Sequence, residues 1–116
     1  MNPIKTSYKI QDNQVIFSSG KIVPFPYPIA ETLDWVDAII VLLSIPKGQK
    51  MNENVFGISY KGEILWQVPE TKYLDEISPY TGIERIGTNV GLYNWDATER
   101  IVEPVTGRII EQRFVK

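Results

Sequence analysis

Between Asn54 and Val68 the chain has to turn back on itself, and the spacing of its apolar residues limits how. The segment reads Asn-Val-Phe-Gly-Ile-Ser-Tyr-Lys-Gly-Glu-Ile-Leu-Trp-Gln-Val. A two-residue Lys61-Gly62 loop sets Ile58 opposite Leu65 and Phe56 opposite Gln67, mixing polar and apolar partners. A three-residue loop, Tyr60-Lys61-Gly62, sets Ile58 opposite Ile64 and Phe56 opposite Trp66. It also puts Gly62 at the left-handed position that a type I turn followed by a bulge requires. One face then carries Phe56, Ile58, Ile64, Trp66 and Val68. Because side chains alternate with period two, a one-residue slip would send this whole set to the wrong side. The segment is therefore expected to be a hairpin closed by the three-residue loop.

The same test predicts hairpins elsewhere. A two-residue Asp12-Asn13 loop pairs Ile10 with Val15 and Tyr8 with Phe17, and both loop residues tolerate positive φ. Ser18-Ser19-Gly20 turns the chain again into Lys21-Ile22-Val23. Near the C-terminal end a four-residue Pro104–Gly107 loop pairs Glu103 with Arg108, Val102 with Ile109 and Ile101 with Ile110, so opposite charges meet beside the turn. Val90–Trp95 precedes this hairpin through Asp96-Ala97-Thr98, where two- and four-residue loops give the same facing. Ala38 to Ile45 is apolar apart from Ser44, which suits a central strand buried on both faces or a short buried helix; the β-branched Ile39-Ile40-Val41 run and the following Pro46 favour the strand. Ile29 to Val36 is the best helix candidate, of about two turns. Pro24-Phe25-Pro26-Tyr27-Pro28 reads as a stiff connector laying its Phe and Tyr over the sheet. Together these elements predict an all-β domain of eight or nine antiparallel strands, hairpin-built, in a sandwich or a partly open barrel with at most one short helix.

The chain has 116 residues, 43% of them hydrophobic and 22% charged, which suits one globular domain spanning 1–116 with its own core. It contains no cysteine and no histidine. Disulfides, thiol nucleophiles, His-based triads and the commonest zinc sites are thereby excluded. A net charge of −2 with no Lys/Arg stripe leaves no electrostatic footprint for polymeric nucleic acid. Met1–Lys5 lacks the pattern of a secretory leader, and the longest apolar run is too short to span a membrane. The reading is a cytoplasmic protein without a membrane partner.

Gly62-Glu63-Ile64-Leu65-Trp66-Gln67 and Gly107-Arg108-Ile109-Ile110-Glu111-Gln112 share the pattern Gly-x-Ile-apolar-x-Gln. Each begins a return strand after a Gly turn, so hairpin chemistry accounts for the echo without duplication. The pattern is similar to that in the blades of PQQ-type propellers, but 116 residues are too few for a closed ring. Phe25-Pro26-Tyr27-Pro28-Ile29, Asp37–Leu43, Asn54–Ile58 and Gly62–Gln67 together resemble a loose group of small bacterial or phage all-β proteins. That resemblance covers about two-thirds of the chain. It implies a compact domain of bacterial or phage origin, and it carries over no activity and no catalytic residues.

With His and Cys absent, carboxylates are the remaining acid–base groups: Asp75 with Glu76, Asp34 with Asp37, and Asp96 with Glu99. None has calcium-loop spacing, and no phosphate-cradling glycine motif is present. The expectation is a protein that is not an enzyme and holds no cofactor or metal. Pro69 to Ile83, containing Tyr73, Asp75, Glu76 and Tyr80, is a long connection of the kind that carries binding. The competing expectation is that Tyr73, Leu74 and Ile77 plug an open end of the sheet. Trp66 is assigned to the core; Trp95 and Tyr93 sit on one face beside a turn, where core filling is the favoured expectation and stacking on a nucleobase the alternative. The first functional expectation is a protein-binding module, such as an immunity protein or inhibitor that occludes its partner. The alternative is a small-ligand binder holding a nucleotide-like molecule between aromatics and a base such as Arg85 or Arg100. A weaker third reading is a homo-oligomer formed through sheet edges.

Overall fold

The computed structural model describes residues 7–114. The opening stretch Met1–Lys5, read above as carrying no leader, lies outside the described residues. Eleven strands run in chain order: β1 (Tyr8–Gln11), β2 (Gln14–Phe17), β3 (Ile22–Pro24), β4 (Ile29–Asp34), β5 (Ile39–Leu43), β6 (Val55–Ile58), β7 (Ile64–Gln67), β8 (Tyr80–Ile86), β9 (Asn89–Asn94), β10 (Thr98–Val102) and β11 (Ile109–Phe114). They form three antiparallel meanders: β1-β2-β3, β4-β5-β6-β7 and β8-β9-β10-β11. The all-β expectation holds, with more strands than the eight or nine expected and no helix among the described residues.

The sheets stack face to face in three layers, with the β4–β7 sheet in the middle. β5 shows why. Its odd-numbered residues Ile39, Val41 and Leu43 join Val15, Phe17, Val23 and Phe25 in one core. Ala38, Ile40 and Leu42 point the other way and join Tyr80, Ile83, Val90, Leu92 and Val102 in a second. The unbroken apolar run is what a strand between two cores requires, and each such side chain contributes roughly 1.5–3 kcal/mol. Phe25 is buried and stacks on Phe56 with ring centroids 5.0 Å apart, so the proline-rich connector behaves as expected.

The Asp12-Asn13 hairpin has its expected register, Ile10 opposite Val15 and Tyr8 opposite Phe17, with Asp12 at φ 52°. Four other expectations need correction. Ile29–Asp34 is a strand, not a helix, because it supplies the second neighbour that β5 needs. The β9–β10 connection is a three-residue loop, Trp95–Ala97, with Ala97 at φ 66°, rather than two or four residues. In the Asn54–Val68 hairpin Ile58 does oppose Ile64, but a bulge at Leu65 then sets Trp66 opposite Gly57 and Phe56 opposite Gln67. Trp66 is buried as expected, yet on the face opposite to Phe56. A Cβ on Gly57 or on Gly107 would collide with its indole, so two glycines make the slot. The indole Nε1 donates to the Pro104 carbonyl at 2.8 Å. In the C-terminal hairpin Val102 opposes Ile109, but Ile110 bulges out and Ile101 opposes Glu111.

The two bulges fall at equivalent places in the Gly-x-Ile-apolar-x-Gln echo, and the equivalence extends through both four-stranded sheets. Ala30 in β4 and Thr81 in β8 are also matching bulges, each the second residue of its sheet's first strand. The echo is therefore part of a four-strand structural repeat rather than turn chemistry alone, and the two units pack face to face as in a sandwich. The N-terminal sheet matches the last three strands of this repeat. The Ile29 amide donates to the Asp12 carbonyl in the β1–β2 turn. Correspondingly, the Tyr80 amide donates to Asn54 Oδ1 in the β5–β6 loop.

Candidate functional site

Aligned by this repeat, most connections are short. The β1–β2 turn takes two residues, the β9–β10 loop three and the β3–β4 link four. At the equivalent places the β5–β6 loop takes eleven (44–54) and the β7–β8 loop twelve (68–79). The fold closes without this extra length, and both additions lie at one end of the stack, against each other. Long ordered loops on a rigid scaffold are where binding concentrates.

Buried asparagines hold the two loops together. Asn54 Nδ2 donates to the carbonyls of Leu43 at 2.8 Å and Tyr80 at 2.9 Å, while its Oδ1 accepts from the Tyr80 amide at 2.7 Å. Asn52 Nδ2 donates to the Glu76 carbonyl at 2.9 Å and its Oδ1 accepts from the Ser78 amide at 2.8 Å. Asn94 Nδ2 donates to the Ser78 carbonyl at 2.8 Å, and the Ser78 hydroxyl donates to Asn94 Oδ1. An asparagine offers donor and acceptor together, so three side chains satisfy backbone groups that would otherwise be buried without partners.

Beneath the loop lies a buried ion pair, Arg100 Nη2 to Asp96 Oδ2 at 3.6 Å. Arg100 also lies over the Tyr73 ring at 4.9 Å and the Tyr80 ring at 5.7 Å. Burial pushes the Asp96 carboxyl up. Hydrogen bonds from the Thr98 hydroxyl and the Leu74 and Thr98 amides, with the Arg100 charge, outweigh that and hold it below its ordinary value. Tyr73 donates to Glu53 Oε2 at 2.7 Å. Burial first, and then this carboxylate acceptor, hold its hydroxyl well above the ordinary tyrosine range.

The seam between the loops opens into two clefts. The first, of about 730 Å³, is mainly apolar and is lined by Ile45, Pro46, Lys47, Ile77, Tyr80 and Trp95, with the matching bulges Ala30 and Thr81 in its wall. The second, of about 410 Å³, is lined by Glu53, Glu70, Tyr73, Asp75 and Glu76 together with Lys50. They are consecutive: Gln49 lines the first and Lys50 the second on one loop, Ile77 and Glu76 on the other. A Lys50–Glu76 ion pair at 3.9 Å marks the boundary. Leu74, Ile77 and Trp95 are 66%, 49% and 67% exposed along the outer loop and the turn beside it.

The residues singled out from sequence divide between this end and others. Tyr73, Asp75 and Glu76 line the acidic cleft, and Trp95 the apolar one. Tyr80 is buried, with only a place in the wall of the apolar cleft. Arg85 lies five residues further along β8, about 16 Å away at the usual strand rise. There it covers the Trp35 ring at 4.2 Å and donates to the Asp34 carbonyl. Tyr93 is on the outer face of the last sheet and donates to Glu84. That carboxylate, and to a lesser extent burial, raises its pKa. Arg100 has no exposed surface. The structure thus does not bring Arg85, Arg100 and Tyr93 to one pocket with Trp95. Of the carboxylates paired in the sequence, Asp75 and Glu76 stay together in the acidic cleft, whereas Glu99 accepts from Arg113 Nε at 2.7 Å, Asp96 faces Arg100 and Asp34 accepts from Tyr8. No group of three or more His, Cys, Asp or Glu among the described residues is placed to hold a metal ion. Among those residues no helix is long and apolar enough to cross a membrane.

The 44–54 loop and its asparagines were missed in the sequence. Its length, with Pro46 and Gly48 inside, is the same signal that singled out the 69–83 stretch.

A family model, described as a domain of unknown function, DUF7957, matches residues 5–114. The chain belongs to the DUF7957 family. That match takes in all three sheets and both long loops, so the clefts lie within the family domain. No curated protein and no solved structure matches the chain.

Proposed function

We propose that this DUF7957 chain is a cytoplasmic, non-enzymatic protein-binding module that acts by covering a partner's surface, as an immunity protein or inhibitor does. One observation carries the reading. The two connections that exceed what the repeat needs lie side by side on a backbone pinned by three asparagines, and they expose Leu74 and Ile77 next to Trp95 of the adjoining β9–β10 turn. A surface already ordered before binding loses little conformational entropy on association, and large apolar side chains anchored in this way are where interface energy concentrates. The lack of histidine and cysteine, which removes the commonest nucleophile–base pairs, supports a role without catalysis, and the lack of cysteine fits the cytoplasm.

A second reading has one observation of its own. The apolar cleft, at about 730 Å³, falls within the size range of small-molecule sites. Among the described residues Lys47 is the one base lining it, which gives a phosphate-bearing ligand little to hold. Affinity capture from a lysate of the source cell, comparing the wild type with an Ile77→Asp/Trp95→Ser variant, separates the readings. Mass spectrometry should find a protein that the wild type retains and the variant loses. A small molecule retained without any protein would favour the second reading. A protein retained equally by both would overturn the assignment of this surface.

A further inference from the structure

Resting on the protein-binding reading, we infer that the seam takes a partner segment that pairs an apolar anchor with adjacent lysines or arginines. The two clefts are contiguous, and their chemistry changes sharply at Gln49/Lys50 on one loop and Glu76/Ile77 on the other. A segment lying along the seam therefore meets Ile45, Pro46, Ile77 and Trp95 first and a cluster of carboxylates next. Among the described residues four acids, Glu53, Glu70, Asp75 and Glu76, line the second cleft against one base, Lys50. Lys50 is already engaged with Glu76 at 3.9 Å, so its charge is shared. Glu53 is held by the Tyr73 hydroxyl at 2.7 Å, while Glu70, Asp75 and Glu76 are exposed.

The charge pattern selects the occupant. Carboxylates at the end of an apolar groove repel nucleotides, nucleic acid and anionic membrane surfaces, and they attract a cationic segment over a Debye length of about 8–10 Å. The apolar half supplies the anchor site and the acidic half supplies orientation: a segment entering in the reverse sense would place its cations against Ile45 and Pro46. The partner is thus a basic protein element with an aromatic or aliphatic residue beside its charges. That is a common surface chemistry where a protein itself grips phosphate. Occlusion would then work by presenting carboxylates where the partner holds its anionic substrate.

Selection of a displayed random dodecapeptide library on the full-length chain tests this, followed by binding of the selected peptides in solution. Enriched peptides are expected to combine Trp, Phe or Leu with at least two Lys or Arg. Their affinity should fall on the order of tenfold in Glu70→Lys/Asp75→Lys/Glu76→Lys, and by a similar factor between about 0.05 M and about 0.5 M salt. The milder Glu70→Gln/Asp75→Asn/Glu76→Gln variant should lose part of that, and Trp95→Ser should also weaken binding. All are exposed positions, and thermal melts confirm folding. Enriched peptides that lack basic residues, or that ignore both charge variants while still depending on Trp95, would overturn the inferred chemistry and leave protein binding at the seam intact. Peptides indifferent to Trp95 and to the charge variants, or no enrichment at all, would overturn both.

Discussion

Replacing Asn54 with alanine tests whether the loops are pinned as described. The side chain is fully buried and makes three hydrogen bonds, at 2.7, 2.8 and 2.9 Å, to Tyr80 and Leu43. Each contributes about 1 kcal/mol net, and the backbone groups left behind are buried where water does not replace the lost partner, so Asn54→Ala should cost about 3 kcal/mol. For a domain of this size that lowers the melting temperature by about 15 °C. Urea unfolding followed by tryptophan fluorescence measures the loss, and the unfolding slope should stay unchanged because the buried surface does. Amide exchange adds the local readout: the Tyr80 amide should lose protection more than amides in β5. Asn54→Asp sharpens the test. It keeps the acceptor for the Tyr80 amide but turns a carboxylate oxygen toward two carbonyls. Burial and those carbonyls raise that carboxyl's pKa above its unfolded value. The variant should therefore be least stable at neutral pH and regain stability as pH falls through the raised pKa. A loss below about 1 kcal/mol for Asn54→Ala, with the Tyr80 amide still protected, would refute the claim that this asparagine holds the loop.

Gly57→Ala should destabilise by about 3 kcal/mol in the same urea assay, because the new methyl meets the Trp66 indole and that ring is fixed by Gly107 and the Pro104 carbonyl. Leu65→Thr and Ile110→Thr, at the outward bulges, should each change stability by less than about 0.5 kcal/mol, whereas an unbulged register would bring one of them into the core. Asp96 has a folded pKa below its unfolded value, so its contribution is complete above an unfolded pKa of about 4 and is lost as pH falls through the folded value. Asp96→Asn should flatten the stability–pH profile in that acid range and leave the Arg100 charge without its carboxylate, at a cost of several kcal/mol at neutral pH.

Turns were the most legible part of this chain. Gly62, Asp12 and Gly107 all take positive φ, and beyond each turn an apolar pair meets: Ile58 with Ile64, Ile10 with Val15 and Val102 with Ile109. The double-sided burial of β5 followed from its missing alternation. The pairing test failed where it assumed unbroken ladders. Leu65 bulges because Trp66 fits only over a residue without a side chain, and that slot is completed by Gly107, forty-one positions away in sequence. Ile29–Asp34 carried too few residues to distinguish helical from strand periodicity, and the free edge of β5 decided it. At the candidate site Trp95, for which core filling was the favoured expectation, is 67% exposed, whereas the length of the 68–79 connection was readable. The asparagine clamps were not, since Asn52, Asn54 and Asn94 look like ordinary turn residues until the second loop lies against them.

On the proposed reading, the seam between the 44–54 and 68–79 loops is where this protein meets its partner. Photocrosslinking inside the source cell tests it directly, with a photoreactive phenylalanine analogue at Ile77 and, as the control, at Val36, which is 75% exposed between β4 and β5. One discrete higher-mass adduct is expected from position 77, absent from position 36 and lost when Trp95→Ser is added. Equal labelling from both positions, or an adduct from position 36 alone, would contradict it.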